Sequence, residues 1–103
     1  MPVYELTEAA DADVQAIARY TVKTWGIEQA RRYEAMLESH FQAIGREKAR
    51  ARGFLKHRPE LRISRIEHHD VFHLLRANQG PLILAVLHEN MDLMNRLRER
   101  LDS

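Results

Sequence analysis

The sequence contains no cysteine. Disulfide frameworks, thiolate nucleophiles and cysteine-ligated zinc are therefore excluded. Glycine is scarce, and Gly26, Gly45, Gly53 and Gly80 stand too far apart to make a loop that cradles phosphate. Serine is scarcer still: Ser39, Ser64 and Ser103 have no GxSxG setting, so no serine nucleophile is read. The longest apolar run, Leu82 to Leu87, is far short of the ~20 residues that a membrane span needs. The opening MPVYELTEAADAD places acids where a secretory leader would be basic, so a cytoplasmic protein is expected.

What is present fits one soluble domain over residues 1–103, with 45% hydrophobic and 30% charged residues. The formal net charge of +1 hides a local imbalance. Residues 46–58 carry Arg46, Lys48, Arg50, Arg52, Lys56 and Arg58 against Glu47 alone, a local sum of +5. The stretch reads first as a solvated helix end whose cations suit the negative pole of the helix dipole. The alternative is attraction of an acidic partner, protein or nucleic acid.

The passage from residue 82 to 97, LILAVLHENMDLMNRL, organises the chain. Its six apolar residues suit a strand buried on both faces, since a half-exposed strand would alternate with polar residues. Asn90 offers an N-cap for a last helix over about Met91 to Leu101, with Leu93, Leu97 and Leu101 on one side. Upstream, Val3 to Leu6 is β-prone, and Thr7 is the expected N-cap of a first helix. Ala10, Val14, Ile17, Ala18, Thr21 and Trp25 draw an apolar stripe along it, and Gly26 ends it. Ile27, Ala30, Tyr33, Leu37, Phe41 and Ile44 repeat the spacing in a second helix, so the two form an antiparallel hairpin.

After Pro59 the period becomes two. Leu61, Ile63 and Ile66 mark a strand whose alternation slips before Ile66, which implies a bulge or an early end. His68 to Asp70 read as a turn, Val71 to Leu75 as a strand, and Ala77 to Pro81 as the turn into the Leu82 strand. The fold class expected is α+β. An N-terminal strand precedes a helical hairpin packed on a mostly antiparallel four-stranded sheet, and a short C-terminal helix follows. Because it is apolar on both faces, the Leu82 strand is expected inside the sheet, with the N-terminal strand covering its free edge.

Six histidines invite a catalytic or metal reading. His68 and His69 would point to opposite faces of a strand and make a poor chelating pair; there is no HExxH. His88 beside Glu89 reads as fixing a turn rather than as a proton donor. No catalytic residue, metal site or cofactor is expected. Arg62, Arg65 and Arg76, with His69 and His73, could line a sheet face that accepts RNA phosphates, or merely decorate an exposed one. Tyr20, Trp25, Tyr33 and Phe41 exceed what one sheet face readily covers, so part of the hairpin is a candidate docking surface. Trp25, beside the glycine turn, reads first as core.

These fragments, taken in order, resemble a known family. Tyr4-Glu5-Leu6-Thr7, Ala9 to Val14, Ile17, Tyr20-Thr21, Trp25-Gly26, Gln29-Ala30 and Tyr33 resemble the first half of ParE toxins from bacterial toxin–antitoxin modules. Leu61-Arg62, His69, Val71-Phe72 and Val86 to Leu93 resemble the second half. The wider family includes ribosome-dependent messenger ribonucleases of the RelE type. Glu67 to His69 and residues 87–97 are similar to the plasmid-stabilising ParE branch. The resemblance implies a non-enzymatic toxin that blocks DNA gyrase and stops replication. It also implies a ParD-type antitoxin with an N-terminal ribbon-helix-helix dimer, whose C-terminal part folds around the toxin. Two departures bear on this. His73 and Leu74 stand where many relatives have a Tyr-Arg pair, and no tyrosine or histidine follows His88 to match the acid–base residues of the ribonuclease branch.

On this reading gyrase contact is assigned to Arg62, Arg65, Arg96, Arg98 and Arg100, because arginine forks suit the phosphates and carboxylates of a charged target. Antitoxin contact is assigned to the outer face of the hairpin, around Tyr20, Trp25, Tyr33 and Leu37. Direct sequence-specific DNA binding and membrane binding are not expected. A RelE-type endoribonuclease is the second reading, and a bare nucleic-acid-binding module the third.

Overall fold

A computed structural model describes residues 3–89 and 92–102. Strand β1 (Glu5–Leu6) leads into helices α1 (Glu8–Trp25) and α2 (Ile27–Gly45). Strands β2 (Arg52–Leu55), β3 (Arg58–Ile66), β4 (His69–Leu74) and β5 (Leu82–His88) follow, and helix α3 (Leu93–Asp102) comes last. The Asn90 cap and the Met91 start proposed for the last helix fall outside the described residues. Within them, Asp92 stands at the entrance to α3, its Oδ1 accepting from the Asn95 amide at 3.3 Å.

Local chemistry sets the helix ends. The Thr7 hydroxyl accepts from the Ala10 amide at 3.0 Å, capping α1. Gly26 joins the helices at φ 94° and ψ 168°, a conformation that side chains resist, so the hairpin turns in one residue. Gly45 answers a different need. A Cβ there would run into the side chain of Val3 and lie 2.6 Å from the Val3 carbonyl oxygen, so only glycine lets the N-terminal segment cross the end of α2.

The strand order is β1-β5-β4-β3-β2. As expected, β5 lies inside the sheet and β1 flanks it. The β1–β5 pairing is parallel and the other pairs are antiparallel, so the sheet is mixed. Five strands replace the four expected. The basic stretch is not a helix end: α2 stops at Gly45, and Arg52 to Leu55 form β2 against β3. Arg-Gly-Phe-Leu has no alternation of its own and borrows its register from β3. Nor does β3 bulge before Ile66: Leu61 to Ile66 pair continuously with Leu74 to His69, and its register shifts only earlier, where Arg58 to Arg62 lie against Gly53 to Leu55 of β2. The slip in its pattern arises because Ser64 is buried beneath α2, where its Oγ lies 2.8 Å from His40 Nε2. His69 and Asp70 belong to β4; the turn is Glu67-His68, with Glu67 at φ 52°.

Both sheet faces are covered. Val71, Ile83 and Val86 face the hairpin, meeting Ala10, Leu37, Phe41 and Ile44. Their chain neighbours Phe72 and Leu87 face the other way, with Leu61, Ile63 and Leu97 of α3. The pairing shift between Phe72 and His73 places both Leu84 and Ala85 of β5 in this second cluster. Phe54 of β2 closes it, edge-on to Phe72 with ring centroids 5.1 Å apart.

Candidate functional site

The two residues of β1 pair with only Leu82 and Ile83 of β5. Beyond them the β5 edge would be left with unsatisfied backbone groups, which are costly to bury. Side chains complete that edge. Asp13 of α1 accepts from the Val86 amide at 2.9 Å through Oδ2. Arg100 of α3 donates to both Asp13 carboxylate oxygens, at 2.8 and 2.9 Å, and to the Leu84 carbonyl at 2.8 Å. The pair is mostly sequestered, with Arg100 and Asp13 side chains 19% and 15% exposed. Hydrogen bonding to Asp13 chiefly raises the Arg100 pKa. Arg100, read from sequence as a gyrase contact, is thus a clamp between α3, α1 and β5. Asp13 was legible in principle, as a carboxylate one turn from Ala10 and from Ile17 at the edge of the apolar stripe.

The other arginines assigned from sequence occupy three settings. Arg96 and Arg98 are exposed on α3. Arg65 is paired at the far end of β3, donating through Nη1 to Glu89 at 2.6 Å and through Nε to Asp70 at 3.2 Å. Its pKa is raised chiefly by the Asp70 hydrogen bonds, and that of Glu89 is lowered chiefly by its hydrogen bond to His68. Arg62 lies one residue from Ile63 and donates to the Ala51 carbonyl at 2.9 Å, bracing the loop into β2. The five do not converge on one site.

The hairpin residues divide as well. Tyr20 is 64% exposed and Trp25 is 70% exposed, and Val22 and Ile27 are exposed beside them at the tip. Trp25 is therefore not core, because the apolar stripe of α1 continues past the last turn that the rest of the molecule covers. Val22 and Trp25 are three apart and share a helix face, which makes a compact apolar patch. Leu37 is the reverse case: it is 2% exposed and packs against the sheet, so its assignment to the outer face is corrected. Tyr33 is half-buried, with its hydroxyl 2.6 Å from His69 Nδ1. It also faces inward.

Histidines cluster at the same end. His69 and His88 rings meet edge-on with centroids 5.4 Å apart, and His68 Nδ1 lies 3.1 Å from Glu89. Burial pushes the Tyr33 hydroxyl up to about 12 and lowers the His69 pKa, so both are neutral near pH 7. No group of three or more metal-binding side chains occurs among the described residues.

Further along the same face, His73 is buried against Arg62 and His40, and its Nδ1 has no hydrogen-bond partner. Burial, then the Arg62 and His40 charges, push the His73 pKa down to about 4; burial lowers that of His40 as well. The unfolded chain takes up these protons near pH 6.5, whereas the folded chain resists them. Stability is therefore expected to fall as pH drops from about 6.5 towards 4, with His73 accounting for on the order of 3 kcal/mol once both states are protonated. Urea midpoints measured across that window check this. His73→Leu should flatten the decline, and an equally steep decline in that variant would assign it elsewhere.

Comparison with known proteins agrees with this architecture. The family described as ParE toxin of type II toxin-antitoxin system, parDE, matches residues 4–93. The chain is 45% identical over 101 residues to the protein named Toxin ParE of Escherichia coli, covering 98% of each. Its fold is similar to a chain from the chromosomal ParDE TA system of P. aeruginosa, with a TM-score of 0.69 and 18% identity. That match covers 82% of this chain and 92% of the other. The chain belongs to the ParE toxin family of type II toxin–antitoxin systems.

Proposed function

We propose that this toxin inhibits DNA gyrase by occupying its surface, so blocking replication, and that a ParD-type antitoxin neutralises it in the cytoplasm. The observation that carries the reading is its end-to-end likeness to a ParE toxin, at 45% identity over 98% of both chains. No helix among the described residues is long and apolar enough to cross a membrane. The toxin would act by adhesion and not as an enzyme. The arginines suited to gyrase are Arg96 and Arg98, exposed on α3, with Arg65 at the strand ends; Arg62 and Arg100 support them by holding the fold. The exposed apolar residues of the hairpin tip, Val22, Trp25 and Ile27 with Tyr20 on another side of α1, are the surface assigned to the antitoxin, whose segment would wrap them on folding.

Gyrase supercoiling and plasmid cleavage measured with purified protein test this. The wild-type chain is expected to suppress supercoiling and leave cleaved plasmid. Arg96→Ala with Arg98→Ala should raise the dose required by about tenfold, the scale of two charge-assisted contacts, without altering the unfolding midpoint. Unaffected gyrase at saturating dose overturns the reading. Cut messenger RNA on ribosomes in its place would transfer the chain to the ribonuclease branch.

A further inference from the structure

We propose that the free edge of β2 takes up an extended acidic segment of a partner protein as an added strand. Strand β2 is outermost in the sheet and pairs only with β3. Arg52 and Gly53 are exposed, and a glycine inside a strand often marks a place where another backbone approaches closely. The edge is set in the most basic part of the chain. Among the described residues Arg46, Lys48, Arg50, Arg52 and Lys56 make no ion pair, so within this stretch only Arg58, paired with Glu60, is already matched by an acid. Where β2 begins, a shallow recess runs inward across β3, lined by Arg50, Arg52, Ile63, Ser64, Arg65 and Asp70, and Arg50 and Arg52 at its outer rim are the cations that side chains of an incoming strand would meet.

Three kinds of occupant suit an open strand edge or a basic patch, and the chemistry separates them. A second copy of this chain would bring its own cations against these and be repelled, which is how edge lysines and arginines prevent self-pairing. Single-stranded nucleic acid would use the charge, but it needs aromatic faces for its bases. Phe54, the only aromatic residue of β2, is turned inward against Phe72. An acidic peptide uses both the charge and the open edge.

The probe is a short fluorescent peptide alternating Glu and Val, titrated into the full chain and followed by anisotropy and by amide exchange. Salt-sensitive binding is expected, with slowed exchange confined to β2 and β3. N-methylation of alternate peptide amides keeps the charge and removes the strand's donors; it should abolish binding. Arg50→Glu with Arg52→Glu, both on exposed positions, should weaken binding by at least about tenfold. Undiminished binding of the N-methylated peptide, preference for oligothymidylate, or no binding at low salt overturns the proposal. None of these results depends on gyrase, which is absent from the peptide titration.

Discussion

Replacing Arg100 with alanine is expected to lower stability by about 3 kcal/mol, although the residue lies in the short last helix. The expectation follows from what the side chain leaves behind. Asp13 would keep a largely buried negative charge facing only the Val86 amide, and the Leu84 carbonyl would lose its closest side-chain donor. Asp13→Ala should cost at least as much, because it strands both the guanidinium and that amide. The double variant should cost less than the sum, as partners in one network do. Urea denaturation of the four proteins measures all of this, with Arg96→Ala, on an exposed position, within about 0.5 kcal/mol of wild type as the control. An Arg100→Ala midpoint equal to wild type would show that the clamp contributes nothing. The result also governs how toxicity data on α3 are interpreted: lost toxicity in an Arg100 variant must be weighed against its stability, whereas Arg96 and Arg98 variants test the proposed contact without that burden.

The second large effect is expected at the other end of the molecule. Trp25→Ala and Tyr20→Ala should each weaken antitoxin binding by about 2 kcal/mol, roughly 30-fold, which is the scale of aromatic anchors at interface centres. Because both rings are exposed, neither change should move the unfolding midpoint by more than about 0.5 kcal/mol. Leu37→Ala should do the opposite, destabilising the chain by 2–5 kcal/mol, about the range for emptying a core site, while leaving the affinity of the folded fraction intact. Calorimetric titration against the cognate antitoxin, paired with denaturation, separates the two behaviours. Wild-type affinity in the Trp25 and Tyr20 variants would move the antitoxin off the hairpin tip.

The elements legible in the sequence were those whose pattern reports burial. The unbroken apolar run of β5 requires cover on both sides, and from this follow its interior position and the need for β1 at its edge. The two helices announce themselves by spacing, and Thr7 and Gly26 by their end chemistry. What escaped depends on partners distant in sequence. Strand β2 exists because β3 offers it a register, and no periodicity in Arg-Gly-Phe-Leu could reveal that. Arg100 looks like any exposed helix cation until Asp13, 87 residues away, is seen to face it. Trp25 and Leu37 were misplaced for related reasons. Spacing tells which residues share a side of a helix, but not how far along the helix the covering layer extends.

The pairing of Asp13 with Arg100 and of β1 with β5 also sets a schedule for translation. The hairpin emerges with an apolar stripe and no sheet to lie on, since its central partner strand, Leu82–His88, is translated after it. Until β5 and α3 have followed it, the hairpin keeps an uncovered apolar stripe that is open to proteases and to aggregation.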